Sequence, residues 1–224
     1  MRVAIHQPNF MPWRGWFAKL MQADVMVLLD DVQFEKGGYT NRVQIWDGML
    51  TLPVNATANK EILDVNEVDL VAGGRWRRKL RETLRHRYGR TPGYEIVDPW
   101  FDESIHNVLG EERLVTVNVR LLDMMADVLG ITTPMVWASQ LRDEPLPGTE
   151  GLVQLLKTQN ATEYLYGAGA KSYQDDELLV AEGISVSKVR HRLNDGYPTY
   201  GLSAVDTICR HPHTARQEME TFAV

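Results

Sequence analysis

Residues 2–33 read RVAIHQPNFMPWRGWFAKLMQADVMVLLDDVQ, and this stretch decides the fold. Residues 2–5 are a short β-rich segment, and after a loop punctuated by Pro and Gly, residues 16–22 place apolar side chains at helical spacing. Residues 25–29 are apolar throughout, which is typical of a strand buried on both faces in a parallel sheet. Strand, loop, helix and strand in this order predict a βαβ unit.

The rest of the chain continues to alternate between the two kinds of element. Asp47-Gly48 between two β-rich runs, 42–46 and 49–54, predicts a hairpin. Further along we predict helices over 74–88, 109–129, 149–160 and 174–182, and strands over 134–138, 163–166 and 184–189. This pattern indicates an α/β fold with a mostly parallel sheet and helices on both faces, formed by a single domain over residues 1–224.

Composition and charge exclude several classes of protein. Of the 224 residues, 44% are hydrophobic and 24% charged, as in an ordinary globular protein. The net charge of −6 should repel polyanions, so we expect no nucleic-acid partner. No apolar run approaches the roughly 20 residues of a membrane span, and the first residues lack the features of a signal peptide. We therefore expect a cytoplasmic protein without a membrane span.

Positive charge is nevertheless concentrated in residues 75–90. The basic residues there are Arg75, Arg77, Arg78, Lys79, Arg81, Arg85, Arg87 and Arg90. Such a run can hold phosphates or an acidic partner, and it can equally be the solvated face of a helix.

Cys209 is the only cysteine, which excludes an internal disulfide and a multi-cysteine metal site. Its apolar, helix-like surroundings favour a buried structural thiol. A nucleophilic role would need an electropositive and partly exposed setting, for which Arg210 and His211 are the neighbouring candidates.

Polar residues follow the first two predicted strands. His6-Gln7-Pro8-Asn9 follows the first strand and Asp30-Asp31-Val32-Gln33 the second. Because ligands bind at the carboxyl ends of strands in such sheets, we predict that His6 is a general base oriented by Asp30 or Asp31. His6 could instead cap the loop, and the aspartates could cap a turn or hold Mg²⁺.

Two later segments add candidate binding residues. Asn41-Arg42 follows Gly37-Gly38, and its arginine could grip a carboxylate or phosphate or form a surface ion pair. The glycine-rich stretch 164–173 could offer backbone N–H groups to an anion, or be a tight strand–helix turn. The predicted substrate-binding residues are Gln7, Asn9, Trp13, Gln33, Asn41, Arg42, Gly167, Gly169 and Tyr173, and no metal ligand is assigned.

The N-terminal motifs resemble a known family. Ile5-His6-Gln7-Pro8-Asn9-Phe10-Met11-Pro12-Trp13, then Leu29-Asp30-Asp31-Val32-Gln33-Phe34 and Asn41-Arg42, look like the signature of the WbqC-like family of bacterial proteins. The likeness continues to Leu202-Ser203-x-x-Asp206 and so spans nearly the whole chain. The resemblance implies a transferase acting on sugars or amino-group acceptors in O-antigen polysaccharide or natural-product biosynthesis.

We therefore expect an acyl or aminoacyl transferase that makes an amide on an amino sugar or small-molecule amine. Its donor would be a thioester of coenzyme A or of a phosphopantetheinyl acyl carrier protein, which the basic segment 75–90 could dock. In this hypothesis His6 deprotonates the amine, Asp30 or Asp31 positions it, and Arg42 holds an acid group. The oxyanion donor would be one of Gln7, Asn9, Gln33 and Asn41.

Two alternatives stay open at this point. The opening strand, loop and helix are similar to those of nucleotidylyltransferases, which would mean a nucleotide- or nucleotide-sugar-dependent transferase using Mg²⁺. The second histidine of their H-x-G-H motif is missing, because the segment reads His6-Gln7-Pro8-Asn9. The other alternative is a non-catalytic partner that binds a carrier protein, although a polar cluster at a sheet edge is costly to desolvate without a function.

Overall fold

The computed structural model describes residues 1–55, 63–72, 75–101, 113–167, 174–190 and 201–222. The strands in these ranges are β1 (Arg2–His6), β2 (Val25–Leu28), β3 (Arg42–Ile45), β4 (Gly48–Thr51), β5 (Met135–Trp137), β6 (Glu163–Tyr166) and β7 (Ser185–Lys188). The α-helices are α1 (Arg14–Gln22), α2 (Arg75–Tyr88), α3 (Tyr94–Val97), α4 (Leu114–Val128), α5 (Gly148–Thr158), α6 (Asp176–Ala181), α7 (Ala204–Arg210) and α8 (Ala215–Phe222). Short 3₁₀ turns lie at Val65–Glu67, Asp98–Phe101 and Ala138–Gln140.

The main sheet is parallel and has the strand order β5-β2-β1-β6-β7. The chain passes from β1 to β2 and then β5 on one side, and afterwards returns to β6 and β7 on the other side of β1. The direction of winding therefore reverses between β1 and β6. In open α/β sheets the crevice at such a switch point, outside the carboxyl ends of the strands, is where ligands bind.

Alternate residues of the central strands enter two separate cores. Val3, Ile5 and Val27 point to one face, where they pack with residues of α5 and α6. Ala4 and Leu28 point to the other face, where they pack with residues of α1, α2, α4, α7 and α8. Helices therefore cover both faces of the sheet, which explains the uninterrupted apolar run of β2 and confirms the predicted α/β fold class.

The predicted hairpin forms the second sheet, which is antiparallel. β3 pairs with β4 from Arg42 opposite Thr51 to Ile45 opposite Gly48. Asp47 adopts a φ of 58°, the left-handed conformation that an Asp-Gly pair supports in tight hairpin turns. Gly48 belongs to β4, so the connection is one residue earlier than the sequence predicted.

Other differences concern helix limits and short helices. α1 begins at Arg14 rather than at residue 16. The Trp13 indole lies over Gly15, where a Cβ would be 2.2 Å from the ring, so a larger residue does not fit there. The helix predicted from residue 109 begins at Leu114 in the described part of the chain, and residues 109–112 lie outside it. The sequence did not predict α3 or α8. In the described ranges, no helix is long and apolar enough to cross a membrane.

Candidate functional site

A cavity of about 440 Å³ lies at the switch point of the sheet. His6 at the end of β1 and Gly167 just after β6 both line it, so it occupies the crevice that the topology creates. Trp13 and Lys19 add walls from the loop after β1 and from α1. This space is called the site cavity below. Its size is that of a small-molecule pocket.

His6 is a neutral imidazole in this cavity. Its Nδ1 lies 3.0 Å from the backbone carbonyl oxygen of Gln7. Since a carbonyl only accepts, Nδ1 carries the hydrogen and Nε2 keeps its lone pair. Burial lowers the pKa of His6 to about 3, with a further lowering by the charge of Lys19 that outweighs the opposing bond to Gln7. The side chain therefore stays uncharged near neutral pH.

Lys19 is the functional candidate that the sequence analysis missed. It is only 4% exposed, and its Nζ donates a hydrogen bond of 2.6 Å to the Ile5 carbonyl. Burial lowers the pKa of its ammonium group to about 7. Among the described residues that line the site cavity there is no aspartate or glutamate, so the cation has no carboxylate there. The sequence carried a signal: Lys19 follows Trp16 by three residues and is the one charged residue in the apolar segment 15–21.

Asp30 does not join His6 in the site cavity. It is 1% exposed, and it accepts hydrogen bonds from Ser139, from the backbone N–H at 3.0 Å and the hydroxyl at 2.6 Å. Asn66 donates to it at 3.4 Å. Ser139 lies just after β5, which is the neighbour of β2 on the side away from β1. The carboxylate thus ties the ends of β2 and β5 together.

Asp31 is likewise bound elsewhere. Arg142 donates to its two oxygens at 2.7 and 2.9 Å, and both side chains are buried. Arg142 also donates to the Gly151 carbonyl in α5 at 3.0 Å. The prediction that an aspartate orients His6 is therefore corrected, since the partner of Nδ1 is the Gln7 carbonyl. Of the alternatives left open for the acid pair, the geometry favours the structural one.

The loop after β1 is fixed by bonds from distant parts of the chain. Asn118 in α4 is fully buried, and its Nδ2 donates to the carbonyls of Pro8 and Thr40, at 2.7 Å each. Ser203 donates through its hydroxyl to the Met11 carbonyl at 2.6 Å. Met11 has a φ of 41°, a strained backbone conformation that persists only where the surroundings enforce it. The cavity wall is therefore preorganised.

Three of the predicted substrate-binding residues line the site cavity. They are Asn9, Trp13 and Gly167. Asn9 is 7% exposed, so its side-chain amide is held at the wall rather than in solvent. Gly169 and Tyr173 lie outside the described residues.

The other predicted binding residues are not part of the cavity lining. The side-chain oxygen of Gln7 accepts from the Thr40 hydroxyl at 3.1 Å. Gln33 is exposed. Asn41 is buried and donates to the Leu52 carbonyl at 3.0 Å, which holds the hairpin. Arg42 is exposed at the first position of β3.

Cys209 is fully buried in α7. Burial, and next the nearby Asp206, raise the pKa of its thiol to about 12, so it stays protonated. The buried position favours the structural thiol over the nucleophile. Among the described residues, no three His, Cys, Asp or Glu side chains are grouped so that they could hold a metal ion.

Fold and cavity together define an α/β protein with a cavity of small-molecule size at the switch point of a parallel sheet. The sequence model of the WbqC-like protein family matches residues 7–218, and the chain belongs to this family. It is 29% identical over 207 residues to a Mycobacterium tuberculosis protein (strain ATCC 25618 / H37Rv) named Uncharacterized protein Rv1507c, covering 89% of this chain and 85% of that protein. No solved structure matches the chain.

Proposed function

We propose that the protein is a transferase that forms an amide. It would move an acyl or aminoacyl group from a thioester to an amino sugar or small-molecule amine, in bacterial polysaccharide or natural-product biosynthesis. The observation that supports this best is the pairing of Lys19 with the neutral His6 in one cavity, without a carboxylate among the described lining residues. Burying an ammonium group without a carboxylate is costly, and such a cost is typical of a functional site.

The proton acceptor in this proposal is Lys19 rather than His6. A base works best when its pKa is near the working pH. The pKa of Lys19 is lowered to about 7, whereas that of His6 is lowered to about 3, which makes the imidazole a weak base. His6 would instead accept a hydrogen bond from the amine through Nε2 and orient its lone pair.

The reaction balances without a redox partner. The amine nitrogen attacks the thioester carbonyl carbon, the C–N bond forms, and the C–S bond breaks as the intermediate collapses. The proton lost by nitrogen goes to Lys19 Nζ and from there to the departing thiolate. The products are an amide and a thiol, and Lys19 returns to its neutral form.

Asn9 is the proposed donor to the oxyanion that develops on the carbonyl oxygen. Of the four residues considered for this role, Asn9 alone is among the described residues that line the site cavity. The Trp13 and Trp16 indoles line the same space and would keep water from the reacting groups. A fixed donor in such a water-poor cavity can lower the barrier by several kcal/mol.

A nucleotide-dependent transfer is the second candidate, and one observation favours it. Counted along the chain, the parallel strands have the order 3-2-1-4-5, which is that of a dinucleotide-binding sheet without its sixth strand, and the cavity lies at its switch point. The bonds of Asp30 to Ser139 and of Asp31 to Arg142 give no support to a Mg²⁺–phosphate site at these two carboxylates.

The test is a turnover assay that follows both products, free thiol by a colorimetric reagent and amide by mass spectrometry. Acyl and aminoacyl thioesters of coenzyme A and of carrier protein are paired with amino sugars and small amines. Lys19→Met and Lys19→Arg should each lower turnover by about 10²–10⁴-fold, since removal of a general base has effects of this size.

The matched control is Lys157→Met, because Lys157 is half exposed and paired with Glu182 at the surface. It should leave turnover unchanged. Retained activity in Lys19→Arg would mean that the charge matters and not proton transfer. Ligand-induced stabilisation by nucleotide and Mg²⁺ alone, without thioester turnover, would favour the second candidate.

A further inference from the structure

A second concave surface lies between the hairpin and α2. It has a volume of about 760 Å³, with Met49 and Pro53 on one wall and Arg75, Trp76 and Lys79 on the other. Val71 also lines it. This surface is called the basic groove below. It is distinct from the site cavity, because the two share no described lining residue.

The charge of the basic groove is unbalanced. Two of the α2 arginines are neutralised, Arg81 by Asp98 and Arg87 by Asp47. Arg75 and Lys79 are exposed on the groove wall, and within the described residues neither forms an ion pair. No described lining residue of the groove is acidic. This local excess of positive charge belongs to a chain whose net charge is −6.

The groove also exposes apolar side chains. Met49 is 49% exposed and Val71 is 41% exposed, and both are large enough to bind a partner's apolar side chains. An apolar floor bordered by cations complements an amphipathic helix whose polar face is acidic. Such a helix would lay its apolar side into the groove and place its carboxylates beside Arg75 and Lys79.

The hairpin links the groove to the site cavity. Gln44 in β3 and Met49 in β4 are cross-strand partners. Gln44 lines the site cavity, whereas Met49 lines the groove. Directly opposed side chains on paired strands lie about 5 Å apart. A protein docked in the groove would therefore sit next to the cavity, separated from it by the width of one hairpin.

We propose that the basic groove docks an acidic amphipathic helix of the carrier protein that delivers the thioester. This rests on the proposed function, and it adds the partner and the surface that receives it. The carrier's helix binds beside Arg75 and Lys79, and its phosphopantetheine arm passes the hairpin to reach Lys19. Recognition thus depends on the carrier's acidic helix and not on the acyl group.

Binding is measured apart from turnover, with a fluorescently labelled holo acyl carrier protein of a bacterial fatty-acid synthase as probe. The double variant Arg75→Glu/Lys79→Glu should weaken binding by at least about tenfold, since each exchange turns an attraction into a repulsion. Met49→Asp should weaken it as well. Both positions of the double variant are exposed, and circular dichroism checks that the fold is kept.

Arg78→Glu is the matched control. Arg78 lies on the same helix, but its side chain is 78% exposed, lies near Glu82 and does not line the groove. It should change carrier binding by less than twofold. An equal loss in Arg78→Glu would overturn the proposal in favour of general charge attraction, and so would preferential binding of anionic vesicles or RNA at the groove.

Absence of groove-dependent binding also overturns the docking proposal, while coenzyme A thioesters still test the proposed function. Suppose that Arg75→Glu/Lys79→Glu turns over coenzyme A thioesters as wild type does and that the carrier protein does not bind. The proposed transferase function then stands and the docking proposal is wrong. If the carrier protein binds through the groove but no amide forms, the docking surface is supported and the proposed transferase function is wrong.

Discussion

The ammonium nitrogen of Lys19 lies 2.6 Å from the carbonyl oxygen of Ile5, one residue before His6. The bond joins α1 to the residue before the last one of β1, so Lys19 from the helix and His6 from the strand line the same cavity. Burial disfavours the charged form of both groups, and the charge of Lys19 lowers the pKa of His6 further. Because burial disfavours the charged forms of these two groups, the free energy of unfolding should depend on pH.

The first prediction concerns the stability of Lys19→Met. The pKa of Lys19 is about 7 in the folded protein, against 10.5 for an ordinary lysine. Between these values the unfolded chain binds more protons, so this group favours folding more as the pH rises. Wild type should gain on the order of 2 kcal/mol in unfolding free energy from pH 6 to pH 9 relative to Lys19→Met.

Urea denaturation at several pH values measures this difference. Lys157→Met, with its exposed ion pair, should show no comparable trend. If the unfolding free energies of wild type and Lys19→Met changed in parallel over the whole pH range, Lys19 would not be a buried lysine with a lowered pKa.

The second prediction concerns acid sensitivity through His6. Its pKa is about 3 in the folded protein and 6.5 in an ordinary histidine. Between these values the unfolded chain again binds more protons than the folded protein, so the free energy of unfolding falls as the pH drops from about 6.5 towards 3. His6→Asn keeps a donor for the Gln7 carbonyl but does not titrate.

Relative to His6→Asn, wild type should lose on the order of 2 kcal/mol between pH 7 and pH 4.5. Direct titration of the imidazole by NMR gives an independent reading. An imidazole signal that titrates near pH 6.5 in the folded protein would be incompatible with its burial as described.

The sequence predicted the fold well because its signals are local. The apolar run of β2, the helical spacing of α1 and the Asp47-Gly48 turn depend on neighbours in the chain. An uninterrupted apolar run such as that of β2 also predicts that the strand is buried on both faces of the sheet. The short helices α3 and α8 carry only weak periodicity, and residues 94–97 are a single turn.

The candidate site was predicted only in part, because strand order is not a local property. The acids after β2 were expected beside His6, since β1 and β2 are indeed neighbours. A strand inside a sheet has two neighbours, however, and Asp30 reaches Ser139 at the end of β5. The cavity lies on the opposite side of β1, next to β6, and Lys19 rather than a carboxylate lines it together with His6.

The third prediction separates structural from catalytic roles for Asp31. Arg142→Met should destabilise the protein by about 3–5 kcal/mol, because it leaves a buried carboxylate without its partner. The double variant Asp31→Leu/Arg142→Met removes both charges and should recover most of that loss. Thermal denaturation compares the three proteins. Recovered stability together with retained turnover supports the structural role, whereas a stable but inactive double variant would restore Asp31 as a catalytic candidate.

The last prediction concerns Asn118, which lies in α4 and donates to both Pro8 and Thr40. Asn118→Ala leaves two buried carbonyls without this donor, so we expect a destabilisation of about 1–3 kcal/mol. Because Met11 is held in a strained conformation within the same loop, the loop should also relax. We therefore expect ligand binding in the site cavity to weaken together with stability.

Thr116→Ala on the same helix is the control. Thr116 is half buried, and of these two residues it is Asn118 that donates hydrogen bonds to the loop. Hydrogen exchange of the backbone amides of residues 9–11 and 13 reports the loop directly. Faster exchange in Asn118→Ala but not in Thr116→Ala is the expected result. Unchanged exchange with unchanged ligand affinity would mean that the loop holds its shape without α4, and Ser203, which bonds Met11, would then be the residue that fixes the cavity wall.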